Sequence, residues 1–281
     1  MLKGAVVAVA VAAAVGTAAV VRAAVPATGP LTLPPPLDDS FTTYNSSVWE
    51  YADSSMGVTD GCKVWYLKNQ SMVNANLSLG QGRGLRMVMS ASPCKANTTA
   101  CNGAKMAADH LTSVAAHLDG DYELKMRAPY QVGTDGDVCN PGVYAYFTAG
   151  YVNKDGKWNE MNFGFHPDRD NGGTAVSCEH HDDTGSYHET TVPLGFNYRK
   201  TFATFKVIRT KDRIDWAVGK GDELPKTIHS VDAKLTEPMT TRLIFRTNFR
   251  DGDPGFMPDH VFEIAHFKFF PRTDATKARA D

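Results

Sequence analysis

The segment KWNEMNFGFHPD, from Lys157 to Asp168, alternates between polar and apolar side chains at every second position. In an extended strand alternate residues share one face, so Met161, Phe163 and Phe165 point to the same side. The other face carries five positions of mostly polar character: Trp158, Glu160, Asn162, Gly164 and His166. This pattern predicts a β-strand with one face in a hydrophobic core and one polar, solvated face.

Similar segments extend to both sides of this strand, separated by clusters of Gly, Asn, Asp and Pro. They are LRMVMS (85–90), DYELKMRAP (121–129), TFATFKVIR (201–209), RIDWAVG (213–219), RLIFRTNF (242–249) and VFEIAHFKFF (261–270). No segment of comparable length has helical periodicity. Two packed antiparallel sheets bury so many one-sided strands, so the sequence predicts an all-β, two-sheet β-sandwich.

The N-terminus predicts export. Lys3 precedes a run of Ala, Val and Gly that ends at Val21, which is typical of a secretory signal peptide spanning residues 1–24. An uncleaved membrane anchor is the alternative, because the run approaches the roughly 20 residues that span a bilayer. We expect a secreted, extracellular protein with a Pro-rich lead-in at 25–37, one domain at 38–271 and a disordered tail at 272–281.

Composition narrows the partners and the redox state. The formal net charge is -2 and the Lys and Arg residues are dispersed, so we expect no nucleic-acid partner and no membrane partner after signal cleavage. Five cysteines in an exported chain favour disulfides, with Cys94–Cys101 the first expectation and Cys139–Cys178 a second. Either way one thiol, such as Cys62, is left over. Glycosylation sequons begin at Asn45, Asn69, Asn76 and Asn97, in keeping with export.

The polar face of the 157–168 strand suits a sugar cleft, where hydrogen bonds orient hydroxyl groups and an aromatic side chain stacks on a ring. An ordinary exposed strand face is the alternative. Trp158 is the candidate stacking residue, whereas Trp49, Trp65 and Trp216 are expected to pack in the interior. Arg246 and Asn248 alternate with apolar residues, so they either line the cleft or lie on the sheet surface.

Several segments, in this order and spacing, resemble glycoside hydrolase family 16, the laminarinase-like enzymes with a concanavalin A-like jelly roll. They are HLDGDYELKMRAP, GVYAYFTAG, NEMNFGF, VPLGFNYRKTFATFKVIRTKDRIDWAVG and HVFEIAHFKFFP, within residues 38–271. The resemblance implies a groove for β-linked glucans or galactans, retaining hydrolysis or transglycosylation, and no cofactor.

The resemblance also implies a degenerate catalytic motif. The family's strand places three acidic side chains on one face, and the matching positions here are Glu160, Asn162 and Gly164. Glu160 matches the nucleophile, Asn162 replaces the middle aspartate, and Gly164 stands at the acid/base position. Because retaining glycosidases use two carboxyl groups about 5 Å apart, whether this chain is an active enzyme stays open.

A replacement acid could come from the segment that follows. Its candidates are His166, Glu179, His180, His181, Asp182, Asp183 and His188, the last six in a polar loop expected to fold over the cleft or to stay hydrated. Only the mixed, crowded ligand types of the motif CEHHDD recommend a metal site, so no metal is expected.

Three functions therefore remain. The first is a secreted protein on the family 16 scaffold that engages β-linked glycans, with chemistry impaired by the missing acid/base glutamate. The second is a non-catalytic, lectin-like glycan-binding protein. The third is a structural cell-surface or matrix module with a vestigial groove.

Overall fold

The computed structural model describes residues 35–51, 58–59, 62–66, 70–97, 101, 104–154, 157–181, 184–247 and 256–272. Two large antiparallel sheets dominate it, so the predicted all-β, two-sheet sandwich is confirmed. The predicted signal peptide, most of the Pro-rich lead-in and the predicted tail beyond Arg272 lie outside these residues. None of the helices that the described part of the chain contains is long and apolar enough to span a bilayer.

The strands alternate with short turns along the described chain. Their bounds are β1 Leu37–Asp39, β2 Trp49–Tyr51, β3 Val58–Thr59, β4 Cys62–Tyr66, β5 Ser71–Asn76, β6 Arg83–Met89, β7 Met106–Ala108, β8 His110–His117, β9 Gly120–Gln131, β10 Val143–Lys154, β11 Lys157–Phe165, β12 Ala175–His181, β13 Tyr187–Pro193, β14 Ala203–Thr210, β15 Arg213–Lys220, β16 Lys226–Asp232, β17 Met239–Thr247 and β18 His260–Pro271. Among the described residues, the short helix α1 spans Ser92–Ala96, and a single 3-10 turn spans Ser78–Gly80.

Sheet A has the strand order β16-β15-β14-β9-β18-β6-β5, with β1 pairing onto β18. Its strands include five of the six flanking segments that the sequence singles out, whereas RLIFRTNF (242–249) contributes to β17 of the other large sheet. Leu124 and Met126 of β9 and Leu85 and Met87 of β6 are all fully buried, as the alternation predicts. The antiparallel hairpin of β14 and β15 closes at Thr210 and Arg213. Sheet A thus presents one continuous apolar face.

Sheet B has the order β13-β12-β11-β10-β17-β8-β2 and contains the informative strand β11 near its middle. A β-bulge interrupts β10, because Thr148 lies opposite Asn162 while Gly150 lies opposite Met161. A bulge changes which residues face each side of a strand and bends it. As a result Tyr151 comes to lie opposite Glu160.

The core lies between the two sheets and is rich in aromatic rings. Phe163 of β11 contacts Phe205 of β14 at 5.1 Å between ring centroids, and Phe147 of β10 contacts Phe267 of β18 at 6.3 Å. These pairs cross from sheet B to sheet A, so burial of the apolar face of β11 fixes the direction of its polar face. The interior packing predicted for Trp49 and Trp216 is confirmed, whereas the side chain of Trp65 lies outside the described residues.

A third, small sheet of β3, β4 and β7 stands beside the sandwich and includes one parallel pair, β4 with β7. The predicted disulfide Cys94–Cys101 is present next to it. The second expectation, a Cys139–Cys178 bridge, is wrong, because both thiols are free. Cys178 is buried in the middle of β12, and burial raises the pKa of the Cys139 thiol to about 12.

Truncation of Phe163 to Ala should lower the free energy of unfolding by about 3–5 kcal/mol, because it leaves a cavity among inter-sheet rings. Trp158→Ala, on the opposite face of the same strand, is the matched control and should stay within about 0.5 kcal/mol of the native chain. Urea denaturation measures both. Equal losses in the two variants would show that the faces of β11 are not divided in this way.

Candidate functional site: a polar groove on sheet B

Strand β11 presents its polar face to an open groove on sheet B. Trp158 is 45% exposed at one end, and the Glu160 side chain is 20% exposed beside it. Asn162 is buried, and Gly164 follows it below the groove lining. His166, just past the end of β11, reaches the lining again. The structure therefore places three of the five predicted positions on the groove surface and two beneath it.

The groove has a volume of about 610 Å³, within the usual range of about 300–1,000 Å³ for small-molecule sites. Neighbouring strands contribute aromatic and charged side chains to it. The lining includes Tyr144, Tyr146, Tyr151, Trp158, Tyr187, Glu160, His166, Arg169, Glu179, Glu189, His181, Arg242 and Arg246. This mixture of ring faces and charged groups can hold a polar ligand that also has apolar faces, such as a sugar.

Glu160 faces the groove next to His181, whose Nε2 lies 3.4 Å from its Oε1. His181 also packs against the Trp158 indole, with 5.1 Å between ring centroids. The carboxylate is therefore neither buried in the interior nor held in a strong ion pair, and it stays accessible from the groove.

Asn162 interacts with the core through its backbone and with the neighbouring strand β12 through its side chain. Its backbone carbonyl accepts a hydrogen bond of 2.8 Å from the Trp216 indole, which ties β11 to the core. Its side chain hydrogen-bonds Glu179, which lies opposite it in the register of β11 and β12. Asn162 is thus a neutral partner for a carboxyl group.

The space that a side chain at position 164 would occupy is filled by the side chain of Glu179. A Cβ atom at this position would overlap Glu179 Oε1 and would lie 2.6 Å from His166 Nε2. The carboxyl group of Glu179 therefore lies directly above Gly164, on the polar face of β11. A glutamate at position 164 would have to displace it.

His166 lies between two carboxyl groups. Its Nε2 is 3.1 Å from Glu179 Oε1, and its Nδ1 is 3.6 Å from Glu189 Oε1. The ring stacks on Tyr144, with 4.4 Å between centroids. Burial lowers the pKa of His166, so the imidazole is neutral at neutral pH.

The two glutamates beside His166 have opposite electrostatic environments. Burial, followed by the charges of Glu189 and Glu160, raises the pKa of Glu179 to about 8. By contrast, the nearby His166 ring, followed by hydrogen bonds from Ser177 and Tyr187, lowers the pKa of Glu189 to about 2. Glu179 is therefore a neutral acid at pH 7, whereas Glu189 is a carboxylate.

Fixed donors explain the ionised state of Glu189. Ser177 Oγ and Tyr187 Oη donate hydrogen bonds of 2.7 and 2.9 Å to its two oxygens, and Arg169 Nη1 lies 2.7 Å from Oε2. Two unlike carboxyl groups, one on each side of a single imidazole, are the pattern that separates acid and base roles.

His166, Glu179 and Glu189 are also the one group among the described residues whose possible metal-ligand atoms lie within 4.8 Å of one another. The imidazole, however, presents Nε2 to one carboxyl group and Nδ1 to the other. A single ion binds one nitrogen of a ring, and the Arg169 cation already neutralises Glu189. The residues therefore fit a chain of proton donors and acceptors better than a metal centre.

Two arginines of β17 form the far side of the groove. The Arg246 guanidinium lies 4.6 Å from the centre of the Tyr146 ring, and Arg242 lies 3.3 Å from that of Tyr151. Both guanidinium groups thus lie within cation–π distance of a tyrosine ring that lines the groove. Arg246 is a predicted site residue at the groove, whereas Asn248 lies outside the described residues.

The prediction of a polar loop around residues 179–188 is wrong. Residues 179–181 belong to β12 and residues 187–188 to β13, with Glu179 opposite Glu189 and His180 opposite His188, while Asp182 and Asp183 lie outside the described residues. The sequence of this segment predicts a loop because its polar residues are consecutive. Here both faces of β12 are buried, so the alternation that normally reveals a strand is missing.

Sequence reasoning also missed Glu189, Tyr187, Tyr146 and Arg169 as groove residues. The alternation of Tyr187, Glu189 and Thr191 in YHETTVP was the available signal for β13. Tyr146 lies in GVYAYFTAG, which the sequence identifies only as a segment that resembles family 16. The pairing of β13 with β12, which brings Glu189 to His166, has no short-range signal in the sequence.

Comparisons with known proteins agree with this fold. No protein-family model and no curated protein matches the sequence. Solved structures do match, and their class is the family 16 β-glucanase jelly roll: the chain has this fold. The three structures described below are less than 20% identical to this chain, so the likeness concerns the fold.

Three structures illustrate the match. A Bacillus licheniformis β-glucanase is 18% identical, with a TM-score of 0.64 over 84% of this chain and 98% of the other. The catalytic domain of an endo-1,3-β-glucanase (laminarinase) from Thermotoga petrophila is 12% identical, with a TM-score of 0.62 over 84% and 97%. A glycoside hydrolase family 16 endo-glucanase from Bacteroides ovatus, in complex with G4G3G-2F-DNP, is 10% identical, with a TM-score of 0.62 over 83% and 99%.

Gly164→Ala should lower the free energy of unfolding by about 1–3 kcal/mol, because the added methyl group competes with the Glu179 carboxyl group for space. In a Glu179→Ala background the same change should cost clearly less. A double-mutant cycle in urea measures the coupling. Additive effects would show that Glu179 does not occupy the space above Gly164.

Proposed function

We propose that this chain is a secreted protein that binds a β-linked polysaccharide, a glucan or a galactan, in the groove of sheet B. In this arrangement Glu160 faces the anomeric carbon of one sugar, and Trp158 stacks on a sugar ring beside it. The chemistry of such a site is retaining transfer of a glycosyl group, to water or to another sugar.

One observation carries the proposal: an exposed indole and an accessible carboxylate stand side by side in a groove of sugar size. The indole offers an apolar ring face and the carboxylate offers a polar group, and together they suit a ligand that has both kinds of surface. A sugar offers the matching surfaces, since its C–H faces cover a ring while its hydroxyl groups reach polar neighbours.

Unmet hydrogen-bonding capacity in the groove floor supports the same conclusion. Among the described residues, the buried groove atoms without a hydrogen-bond partner include Asn162 Oδ1, His181 Nδ1, both ring nitrogens of His166 and Glu179 Oε1. Buried polar atoms normally have partners, so such atoms clustered around Glu160 favour a polar ligand or ordered water there.

The structural likeness supports a β-glycan in particular. The matched proteins are described as a β-glucanase, a laminarinase and an endo-glucanase, and the last was crystallised with G4G3G-2F-DNP. Their fold and the position of the groove residues on β11 together favour this ligand class over other polar ligands.

Trp158→Ala should weaken binding to laminarin, mixed-linkage glucan or agarose about tenfold, which is ~1.4 kcal/mol, because the ring stack is lost. Affinity electrophoresis or calorimetry with each polymer measures this effect. Phe270→Ala is the matched control, since Phe270 is equally exposed at 44% but lies on sheet A.

The control should bind like the native chain. If the native chain retains none of these polymers, or if both variants bind as tightly as the native chain, the proposed groove is wrong. Binding without cleavage is the outcome that the lectin-like alternative requires.

A further inference from the structure

The Glu179 carboxyl group above Gly164 has a chemical role that rests on the proposed function. We propose that Glu179, on the strand next to Glu160, is the proton donor and acceptor of this site and replaces the acid/base carboxyl group that position 164 lacks. The first support is placement: the side chain lines the groove, and its Oε1 fills the space of a residue 164 side chain.

The second support is the spacing between the two glutamates. In the β11–β12 register, Glu160 lies opposite His181 and Asn162 lies opposite Glu179, so Glu160 and Glu179 are diagonal neighbours. Diagonal residues have Cα atoms about 7–8 Å apart on the same face of a sheet. Their carboxyl groups can therefore approach the roughly 5 Å that retaining chemistry needs, and the Glu160 charge does act on Glu179.

The third support is the set of groups that face Glu179. On its own strand these are Ser177 and His181, on β11 Glu160 and Asn162, beyond β11 His166 and Arg169, on β13 Tyr187 and Glu189, on β10 Tyr146, and on β17 Arg246. Burial and two nearby carboxylates favour its neutral form, while Asn162 and Arg246 favour the anion. The result is an acid that holds its proton at pH 7 and can release it.

His166 positions this acid. Its neutral ring directs Nδ1–H toward the Glu189 carboxylate, which leaves the Nε2 lone pair facing Glu179. This tautomer follows from the two neighbours, because ionised Glu189 can only accept. A small rotation of the carboxyl group would let Nε2 accept a hydrogen bond from protonated Glu179, whose Oε1 lies 3.1 Å away and has no hydrogen-bond partner among the described residues.

Two departures from the family motif then have a common physical reason. Gly164 leaves room for a carboxyl group that arrives from β12. Asn162 supplies an amide N–H to this carboxyl group, whereas an aspartate would add a third negative charge between Glu160 and Glu189 and would hold the proton too tightly.

The reaction balances with these residues. In the first step a Glu160 oxygen attacks the anomeric carbon, the bond from that carbon to the linking oxygen breaks, and Glu179 gives its proton to the departing oxygen. In the second step the Glu179 carboxylate takes a proton from water or a sugar hydroxyl. The oxygen of that acceptor attacks the anomeric carbon and releases the Glu160 carboxylate.

Leaving-group dependence distinguishes a proton donor from a structural residue. Glu179→Gln should lower kcat/KM on laminarin or mixed-linkage glucan about 10²–10⁴-fold. On a 2,4-dinitrophenyl β-glucan oligosaccharide, whose leaving group needs no proton, glycosylation should fall less than about tenfold. Glu160→Gln should abolish both reactions, and Glu123→Gln on sheet A is the matched control that should change neither.

The pH profile gives a second readout that does not require Glu179 to be replaced. In the native chain kcat/KM on the polymer should fall as pH rises through about 8, because the acid then loses its proton. Asn162→Asp adds a negative charge and removes a hydrogen-bond donor near Glu179. The fall of kcat/KM at alkaline pH should therefore occur at a higher pH in this variant.

The outcomes separate this inference from the proposed function. Binding of glucan without cleavage of either substrate, an equal loss on both substrates in Glu179→Gln, or an unmoved alkaline fall of kcat/KM in Asn162→Asp overturns the role of Glu179 and leaves the binding groove standing. Failure of the native chain to bind any β-glycan overturns the proposed function itself.

Discussion

The register of β12 against β11 is the constraint on which the rest of the site depends. It places Glu179 opposite Asn162 and directs its carboxyl group over Gly164. A slip by one residue would turn Cys178 and His180 toward the groove and Glu179 toward the core, because side chains alternate between faces. Burial of Phe163 and Phe165 holds β11 in one orientation, and the Trp216 indole hydrogen bond ties its backbone to the core.

This register changes the meaning of the altered motif. On β11 alone, Asn162 and Gly164 stand at positions where the resemblance to family 16 leads one to expect acidic side chains. On the sheet, the groove contains Glu160, a protonated Glu179 and an ionised Glu189 joined through His166. The three carboxyl groups lie on the adjacent strands β11, β12 and β13. Gly164 leaves the space that the Glu179 carboxyl group occupies.

Sequence reasoning predicted what depends on local alternation. The two-sheet fold, the buried faces of β6, β9 and β11 and the Cys94–Cys101 disulfide follow from patterns a few residues long. What it could not predict depends on pairing between distant segments. The bulge that turns Tyr151 toward Glu160, the strand character of residues 179–181 and the approach of Glu189 to His166 all arise from cross-strand register.

A crystal structure with a β-glucan oligosaccharide spanning the groove tests the central claim most directly. The account predicts that a Glu179 oxygen lies within hydrogen-bond distance, about 3 Å, of the linking oxygen whose anomeric carbon faces Glu160. An oligosaccharide that occupies the groove beside Glu160 while Glu179 stays covered and out of reach of every linking oxygen would contradict it.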